Sequence, residues 1–402
     1  MQFSDIIGQQ EIKQQLVEMV QHNRLSHALL FLGKEGNGSL QLAIALAQYI
    51  TCEKANPILR QAQDKISNSG IPLFGEEPSH SPTDSCGACP SCTKAQQLIH
   101  PDIHLSYPVV TKKSGSPPIS TDYISEWREF IKNYPYGNVY DWLQFIGAEN
   151  KQGNITAQEC NDIIRQLSLK SFESEYKILI MWMPEYLGNE GNKLLKLIEE
   201  PPPNTLFILV AENESLVLPT IVSRCQLIKI PALEIKEVEE ALITRNNSSA
   251  ETARQAASVS EGNYREALQL VQHAEEDWQG LLREWLNAIL KTGPVAQTKW
   301  VEEISRLGRE KQKQFLRYFN HLLEQAIRHK LLGDNIYLPD NEKDFAGRLN
   351  RIADIAQQQA IIEELDKAAY YIERNANAKI LFHALTIKLY HIIQDKIVFL
   401  TT

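Results

Sequence analysis

The chain has 402 residues, of which 43% are hydrophobic and 23% are charged. This composition excludes a disordered, collagen-like or fibrous protein. The length exceeds the roughly 250–300 residues that one hydrophobic core serves, so two or three domains are expected. The formal net charge of −9 excludes DNA binding that is driven by the overall charge of the chain.

The first fifty residues predict an amphipathic helix (Ile12, Leu16, Met19 and Val20 at helical spacing), a strand, a glycine loop and a second helix. Residues 27–32 (HALLFL) are a short continuous apolar run, which is typical of a buried strand in a parallel sheet. Residues 33–38 (GKEGNG) interrupt this run, and residues 40–50 resume as a helix rich in alanine and leucine. A phosphate-binding loop has this setting, between a strand and the helix that follows it.

This loop, residues 33–38, is called the glycine loop below. Gly33, Gly36 and Gly38 fit the spacing of a nucleotide-binding loop, which continues with a lysine for the phosphates and a hydroxyl for Mg²⁺. The next positions hold Ser39 and Leu40, which supply neither a positive charge nor, at Leu40, an oxygen for a hard cation. We interpret the loop as degenerate and predict that it does not bind ATP, although its backbone amides leave a phosphate contact open.

Two further buried strands are predicted at residues 176–183 (YKILIMWM) and 206–210 (LFILV). A helix is predicted between them at residues 192–199, and it ends before three consecutive prolines. Strands that alternate with helices indicate a parallel α/β sheet.

The acidic pair of an ATPase is missing as well. It belongs at the end of the second strand, where the chain has Trp182 and Met183. Glu185 follows, and we interpret it as a solvated residue of a turn. Because two parts of the same machinery are lost independently, the sequence predicts an ATPase frame without ATP hydrolysis.

The remaining segments divide into an insertion and two helical parts. Residues 53–85 lack any period and predict a surface insertion. Residues 232–276 predict a small helical unit, and residues 278–402 predict a larger one with apolar stripes. One stripe forms a core, and a second stripe suits an oligomer interface.

Closely spaced cysteines predict a structural metal site. Cys86, Cys89 and Cys92 have the C-x₂-C-x₂-C spacing that brings thiolates onto one tetrahedral Zn²⁺. A closed site needs a fourth ligand, and nothing nearby supplies the general base of a catalytic site. The candidates for the fourth ligand are Cys52, His100 and His104.

Three segments resemble the clamp-loader subunits of bacterial DNA polymerase III, which are AAA+ proteins. Residues 192–202 (NKLLKLIEEPP) resemble their N-A-L-L-K-x-L-E-E-P-P stretch, and residues 218–225 (LPTIVSRC) resemble L-x-x-T-I-x-S-R-C. Residues 373–381 (ERNANAKIL) are similar to the R-N-A-N-x-K-L-L of the collar helices. The resemblance covers nearly the whole chain and includes the cysteine motif.

The resemblance implies three domains. These are an AAA+ α/β domain over residues 1–230 with a zinc module at 52–92, a helical lid over 231–276, and a helical collar for oligomerisation over 277–402. It also implies that Cys52 is the fourth zinc ligand.

The resemblance also implies roles for two arginines. Arg224 would act as an arginine finger that reaches the γ-phosphate held by a neighbouring ATPase. Arg265 matches the sensor-2 arginine of the lid, for which a nucleotide contact and a structural salt bridge both stay open.

Within the family, the degenerate loop resembles the subunit without ATPase activity rather than the ATP-binding γ/τ subunits. The implied function is a non-hydrolysing part of the polymerase III holoenzyme. Its partners would be the γ/τ and δ subunits, contacted through the collar and AAA+ faces, with the sliding clamp and primed DNA reached through the assembled pentamer.

Two alternatives remain. One is a γ/τ-type ATPase that uses Lys34 and Glu185 in unusual registers. The other is a zinc-containing DNA-binding module, which the acidic balance disfavours. No run of about 18 apolar residues is present, and the polar start MQFSDIIGQQ lacks the apolar centre of a secretory signal. We therefore expect a cytoplasmic protein without a membrane partner.

Overall fold

The computed structural model describes residues 1–55, 82–112, 115, 117–148, 151–272, 277–332, 340–373 and 376–396. The chain forms two compact units, Met1–Leu268 (the first unit) and Gln269–Thr402 (the second unit). Most of the predicted insertion, residues 56–81, lies outside the described residues. The described part of the chain has no helix long and apolar enough to cross a membrane. The division into three domains stays a prediction.

The first unit is built on a five-stranded sheet in which every described pairing is parallel. Its strands run in the order β2-β3-β4-β1-β5. The strands are β1 (Ala28–Leu32), β2 (Ile103–Ser106), β3 (Lys177–Trp182), β4 (Thr205–Ala211) and β5 (Gln226–Lys229). The prediction of a parallel α/β sheet is confirmed.

Helices cover both faces of this sheet. The helices that begin in the first unit are α1 (Gln10–Gln21), α2 (Ser39–Thr51), α3 (Pro90–Gln96), α4 (Ile124–Asn133), α5 (Val139–Phe145), α6 (Ala157–Ser168), α7 (Leu195–Glu199), α8 (Pro219–Val222), α9 (Ile235–Asn246), α10 (Ala250–Val259) and α11 (Tyr264–Gln272). Successive strand residues enter opposite cores because side chains alternate across a strand. Leu29 and Phe31 belong to one core cluster, whereas Ala28 and Leu30 belong to the other.

The helix predicted at residues 192–199 differs from the structure. Two 3₁₀ turns separated by a kink at Gly188 occupy Pro184–Leu194, and the short helix α7 follows them. Gly188 has a φ of +51° and a ψ of −146°, a conformation that an α-helix does not contain. The α-helix therefore covers only Leu195–Glu199, the last five residues of the predicted span.

The second unit is helical, as its apolar periodicity predicts. Its helices are α12 (Trp278–Asn287), α13 (Pro294–Arg306), α14 (Arg309–Leu332), α15 (Asp340–Ile352), α16 (Ile355–Glu373) and α17 (Ala378–Gln394), with a π-helical turn over Ala288–Thr292. In its core, the rings of Trp285 and Trp300 stack with centroids 4.5 Å apart. Phe315, Phe319 and Phe382 are fully buried in the same cluster.

Candidate functional site

The glycine loop lies at the carboxyl end of β1, between two neighbouring strands of the sheet. This edge is where open α/β sheets bind their ligands. The amide of Gly33 donates to the carbonyl of Ala211 at the end of β4 (3.1 Å). Gly36 and Gly38 have φ values of +73° and +92°, which favour glycine. The backbone therefore makes the turn that the glycine spacing predicts.

The side chain of Asn37 fills this loop. Its Oδ1 accepts hydrogen bonds from the backbone amide of Ser39 (3.1 Å) and from the Ser39 hydroxyl (2.6 Å). Its Nδ2 donates to the carbonyl of Ile230 (3.0 Å), and the residue is only 2% exposed. The amide at the start of α2, which a phosphate would need, is thus already bonded within the protein.

The cavity above the glycine loop is small and partly apolar. Its volume is about 30 Å³. Ligand pockets occupy about 300–1,000 Å³. Trp182 and Met183 line this cavity where the acidic pair of an ATPase is expected. The cavity is therefore smaller than such pockets, and two apolar side chains occupy the positions of the acidic pair.

Of the two residues that the ATPase alternative would use, Lys34 lines the cavity above the glycine loop and Glu185 does not. Lys34 is exposed and borders the cavity. The prediction that Glu185 is solvated is wrong. Its Oε1 accepts the backbone amides of Glu212 (2.6 Å) and Asn213 (2.9 Å), and burial raises the pKa of its carboxyl against the effect of these hydrogen bonds. Glu185 turns inward because the chain after β4 presents amides that need an acceptor.

Arg265 is buried in a network of carboxylates. Its Nη2 donates to Asp141 Oδ1 of α5 (2.6 Å), and its Nε bonds the other oxygen of the same carboxylate. Its Nη1 donates to Glu35 Oε1 of the glycine loop (3.1 Å), and the side chain is 5% exposed. The forked guanidinium is thus satisfied by two acidic side chains of the first unit.

Arg224 lies at the surface of the first unit. Its Nε donates to Glu199 Oε1 (2.5 Å), and its Nη1 donates to the Thr220 carbonyl (2.7 Å). The side chain remains 33% exposed. Among the described residues, those lining the cavity above the glycine loop do not include Arg224, so its charge does not serve the loop of its own chain.

Four cysteines form the group of metal-ligating side chains found among the described residues. They are Cys52, Cys86, Cys89 and Cys92, and their Sγ atoms all lie within 4.8 Å of one another. The sulfurs of Cys86 and Cys92 are 3.9 Å apart. A tetrahedral ion with Zn–S bonds of about 2.3 Å separates its sulfurs by about 3.8 Å. The donor set fits a soft divalent ion.

The structure joins Cys52, rather than a histidine, to the three clustered cysteines. Cys52 caps the end of α2 and is fully buried. The Nε2 atom of His100 lies 3.1 Å from the hydroxyl of Ser91, and His104 is not in the metal-ligating group. Neither histidine is therefore the fourth metal ligand: His100 bonds Ser91, and His104 lies outside the cysteine cluster.

Hydrogen bonding favours the thiolate form of Cys52, whereas burial raises the pKa of Cys89. The bond from Cys92 lowers the pKa of Cys52 to about 4, and the same bond raises the pKa of Cys92. The backbone amide of Cys86 also donates to the Cys52 sulfur (3.3 Å). Metal ligation requires deprotonated cysteines, so Cys52 is the thiol whose surroundings already suit a metal.

The strand order, the glycine loop after β1 and the helices on both faces define a parallel α/β domain with a loop of the nucleotide-binding type. Residues 8–69 and 72–234 match the family model described as DNA polymerase III, delta subunit. The chain belongs to this family and is a delta-prime-like clamp-loader subunit.

Two curated relatives illustrate this kinship. DNA polymerase III subunit delta' of Bacillus subtilis (strain 168) is 26% identical over 66% of this chain and 60% of the relative. Subunit tau of the same organism is 24% identical over 83% of this chain and 48% of the relative. The chain thus spans less than two thirds of the length of each. A gamma-subunit-related protein of Thermotoga maritima aligns over 94% of this chain and 99% of its own, with 14% identity and a TM-score of 0.37.

Sequence reasoning missed the residues that close the glycine loop. Asn37 lies inside a recognised motif, but its spacing carries no sign that its side chain turns inward. Glu35 and Asp141 are 230 and 124 positions away from Arg265, their common partner. Asn138 and Asp141 do form a capping box at the start of α5, and that local pattern was the available signal.

Proposed function

We propose that this chain is the delta-prime subunit of a DNA polymerase III clamp loader, which helps to load the sliding clamp on primed DNA without hydrolysing ATP itself. The observation that carries the proposal is the filled glycine loop, with Asn37 bonded to the Ser39 amide under a cavity of about 30 Å³. Membership of the family supports a place in the clamp loader. The filled loop supports the role of a subunit that does not hydrolyse ATP.

Arg224 is proposed to act on a neighbouring ATPase. A guanidinium is always charged and forks onto phosphate oxygens, which suits it for this task. The residue is partly exposed and does not line the cavity of its own loop. Its ion pair with Glu199 orients the side chain at the surface. In the assembled ring, Arg224 would contact the γ-phosphate held by the adjacent γ/τ subunit and stabilise the charge of the transition state.

The four cysteines are proposed to hold a structural Zn²⁺. The ion would fix the end of α2 to the turn before α3, because Cys52 caps the first helix and Cys89 is the N-cap of the second. Four thiolates leave no open position for water. The metal would therefore supply folding free energy rather than a reactive group.

The second unit is proposed to be the collar through which the chain joins the γ/τ and δ subunits. Helix α17 buries Phe382, Leu385 and Leu389 in the core. Its other face leaves Ile380 and Ile387 exposed by 70% and 55%. These two isoleucines are seven residues apart and lie on one side of the helix. An apolar stripe of this kind suits burial against a neighbouring helix.

Assembly tests this proposal. The tagged chain is expected to co-purify with γ/τ and δ subunits, and the double variant Ile380→Asp, Ile387→Asp is expected to leave the complex because two charges would enter an apolar interface. Size-exclusion chromatography of the mixed subunits measures the loss. Circular dichroism checks that the variant keeps its helices.

A matched control is Val295→Asp, which alters another exposed apolar residue of the second unit, 86% exposed in α13. This variant should assemble normally. Full assembly of the double variant would contradict the collar assignment. A chain that recovers none of the clamp-loader subunits would contradict the proposed function itself.

A further inference from the structure

We propose that this subunit carries an internal substitute for the nucleotide. The Asn37 side chain takes the place of phosphate oxygens in the glycine loop, and a latch of Glu35, Asp141 and Arg265 holds α11 closed over the loop without any ligand. The inference rests on the proposed function, since it concerns the same degenerate loop, and it names the residues that determine the exclusion of nucleotide.

The first step is the occupation of the anion position. The N-terminus of a helix attracts negatively charged oxygens through its free amides. At α2, the Ser39 amide and hydroxyl both donate to Asn37 Oδ1. A Cβ atom on Gly33 would lie 2.1 Å from Asn37 Nδ2. Gly33 therefore makes the room that the Asn37 side chain uses, and an anion could enter only after this side chain had left.

The second step is the anchoring of α11. Glu35 extends from the glycine loop and accepts hydrogen bonds from Arg265 Nη1 and Asn263 Nδ2, each 3.1 Å long. Its second oxygen accepts from Asn138 Nδ2 (2.9 Å). Asp141 bonds the remainder of the guanidinium. A carboxylate of the loop thus meets the buried arginine, where an anionic ligand would otherwise be needed to balance its charge.

The third step is direct contact between the backbones. The Tyr264 amide donates to the Gly36 carbonyl (3.2 Å). A Cβ atom on Gly36 would lie 1.9 Å from Asn263 Oδ1. The start of α11 therefore lies on the glycine loop itself. Filling the loop and closing α11 over it are two parts of one arrangement, and neither part requires nucleotide.

The anion arm of the test uses pyrophosphate as the probe and the full chain as the protein. Asn37→Ala frees the Ser39 amide, so we expect it to bind pyrophosphate roughly ten- to a hundredfold more tightly than the wild type, the range that a hydrogen bond to a charged group supplies. Isothermal titration calorimetry measures the binding. Asn37→Asp keeps the acceptor and adds a negative charge, and it should exclude the probe as the wild type does.

Thermal melting checks that each variant is folded, and Asn37→Ser, which also shortens the side chain, serves if the alanine variant fails to fold. Equal pyrophosphate affinity in the wild type and in the folded Asn37→Ala or Asn37→Ser variant would contradict the proposal that the Asn37 side chain takes the place of phosphate oxygens.

The latch arm measures hydrogen exchange of the amides of residues 264–267 in the absence of nucleotide. The double variant Glu35→Gln, Asp141→Asn removes the negative charges of the two carboxylates that bond Arg265 in the latch. It should exchange about a hundredfold faster than the wild type, as expected when a buried charge loses its partners. Glu190→Gln breaks an exposed pair with Lys193 and is the matched control.

Unchanged exchange in the latch variant would overturn the inference, as would a wild-type chain in which ATP slows exchange at these amides. Both arms use the isolated chain, whereas the proposed function is tested by assembly with the other subunits. The two can therefore fail separately.

Discussion

Replacing Arg224 by alanine is expected to lower ATP hydrolysis at the neighbouring site about 10³–10⁵-fold, the effect that an arginine finger has on phosphoryl transfer. The steady-state ATPase rate of the reconstituted ring should fall by at least the fraction of the total rate that this neighbouring site contributes. The residue is partly exposed and bonded to Glu199, so its loss should leave the fold intact. The measurement is ATP turnover per ring, with assembly checked by size-exclusion chromatography.

Two variants make this test specific. Arg224→Lys keeps the positive charge but loses the forked guanidinium that bonds two phosphate oxygens. Its ring should therefore recover only part of the wild-type ATPase rate. Arg254→Ala removes another exposed arginine of the first unit, one that pairs with Glu239, and should hydrolyse ATP at the wild-type rate. Full activity of the assembled Arg224→Ala ring would exclude the proposed finger.

Removal of the metal is expected to cause the largest loss of stability. Zinc bound to a structural site contributes about 10–16 kcal/mol of apparent binding free energy near neutral pH, and this free energy supports folding. The cysteine cluster packs in the main core of the first unit, next to α2. A strong chelator should therefore lower the melting temperature markedly. The Cys92→Ser variant should purify without stoichiometric zinc, and its melting temperature should be lower than that of the chelator-treated wild type.

The matched control for this prediction is Cys225→Ser, because Cys225 lies outside the metal-ligating group. This variant should retain one zinc per chain, measured by a colorimetric assay after thiol modification. Wild-type protein that is free of metal as purified and melts at the same temperature with and without chelator would contradict the assignment.

The sequence predicts those parts of the fold that depend on local patterns. Strands β1, β3 and β4 are buried almost throughout, so each of them is a nearly continuous apolar run. The two edge strands β2 and β5 have four residues each and are half exposed. Their pattern is too short and too polar to be distinguished from a loop.

The same distinction applies to the candidate site. The cysteine cluster is predictable because its three clustered ligands are close together in sequence, and only Cys52 is distant. The Arg265 network is not predictable, since its members are brought together by the packing of α11 and α5 around the glycine loop. Glu185 was misinterpreted because its partners are backbone amides that lie 27 and 28 positions along the chain.

The most direct test of this account is the binding of ATP to the isolated chain in the presence of Mg²⁺, measured by equilibrium dialysis. Because Asn37 occupies the loop and Trp182 and Met183 line the cavity, we predict no saturable binding at millimolar ATP. Saturable, Mg²⁺-dependent binding in the micromolar range, lost on substitution of Gly38, would contradict the account and favour an ATPase of the γ/τ type.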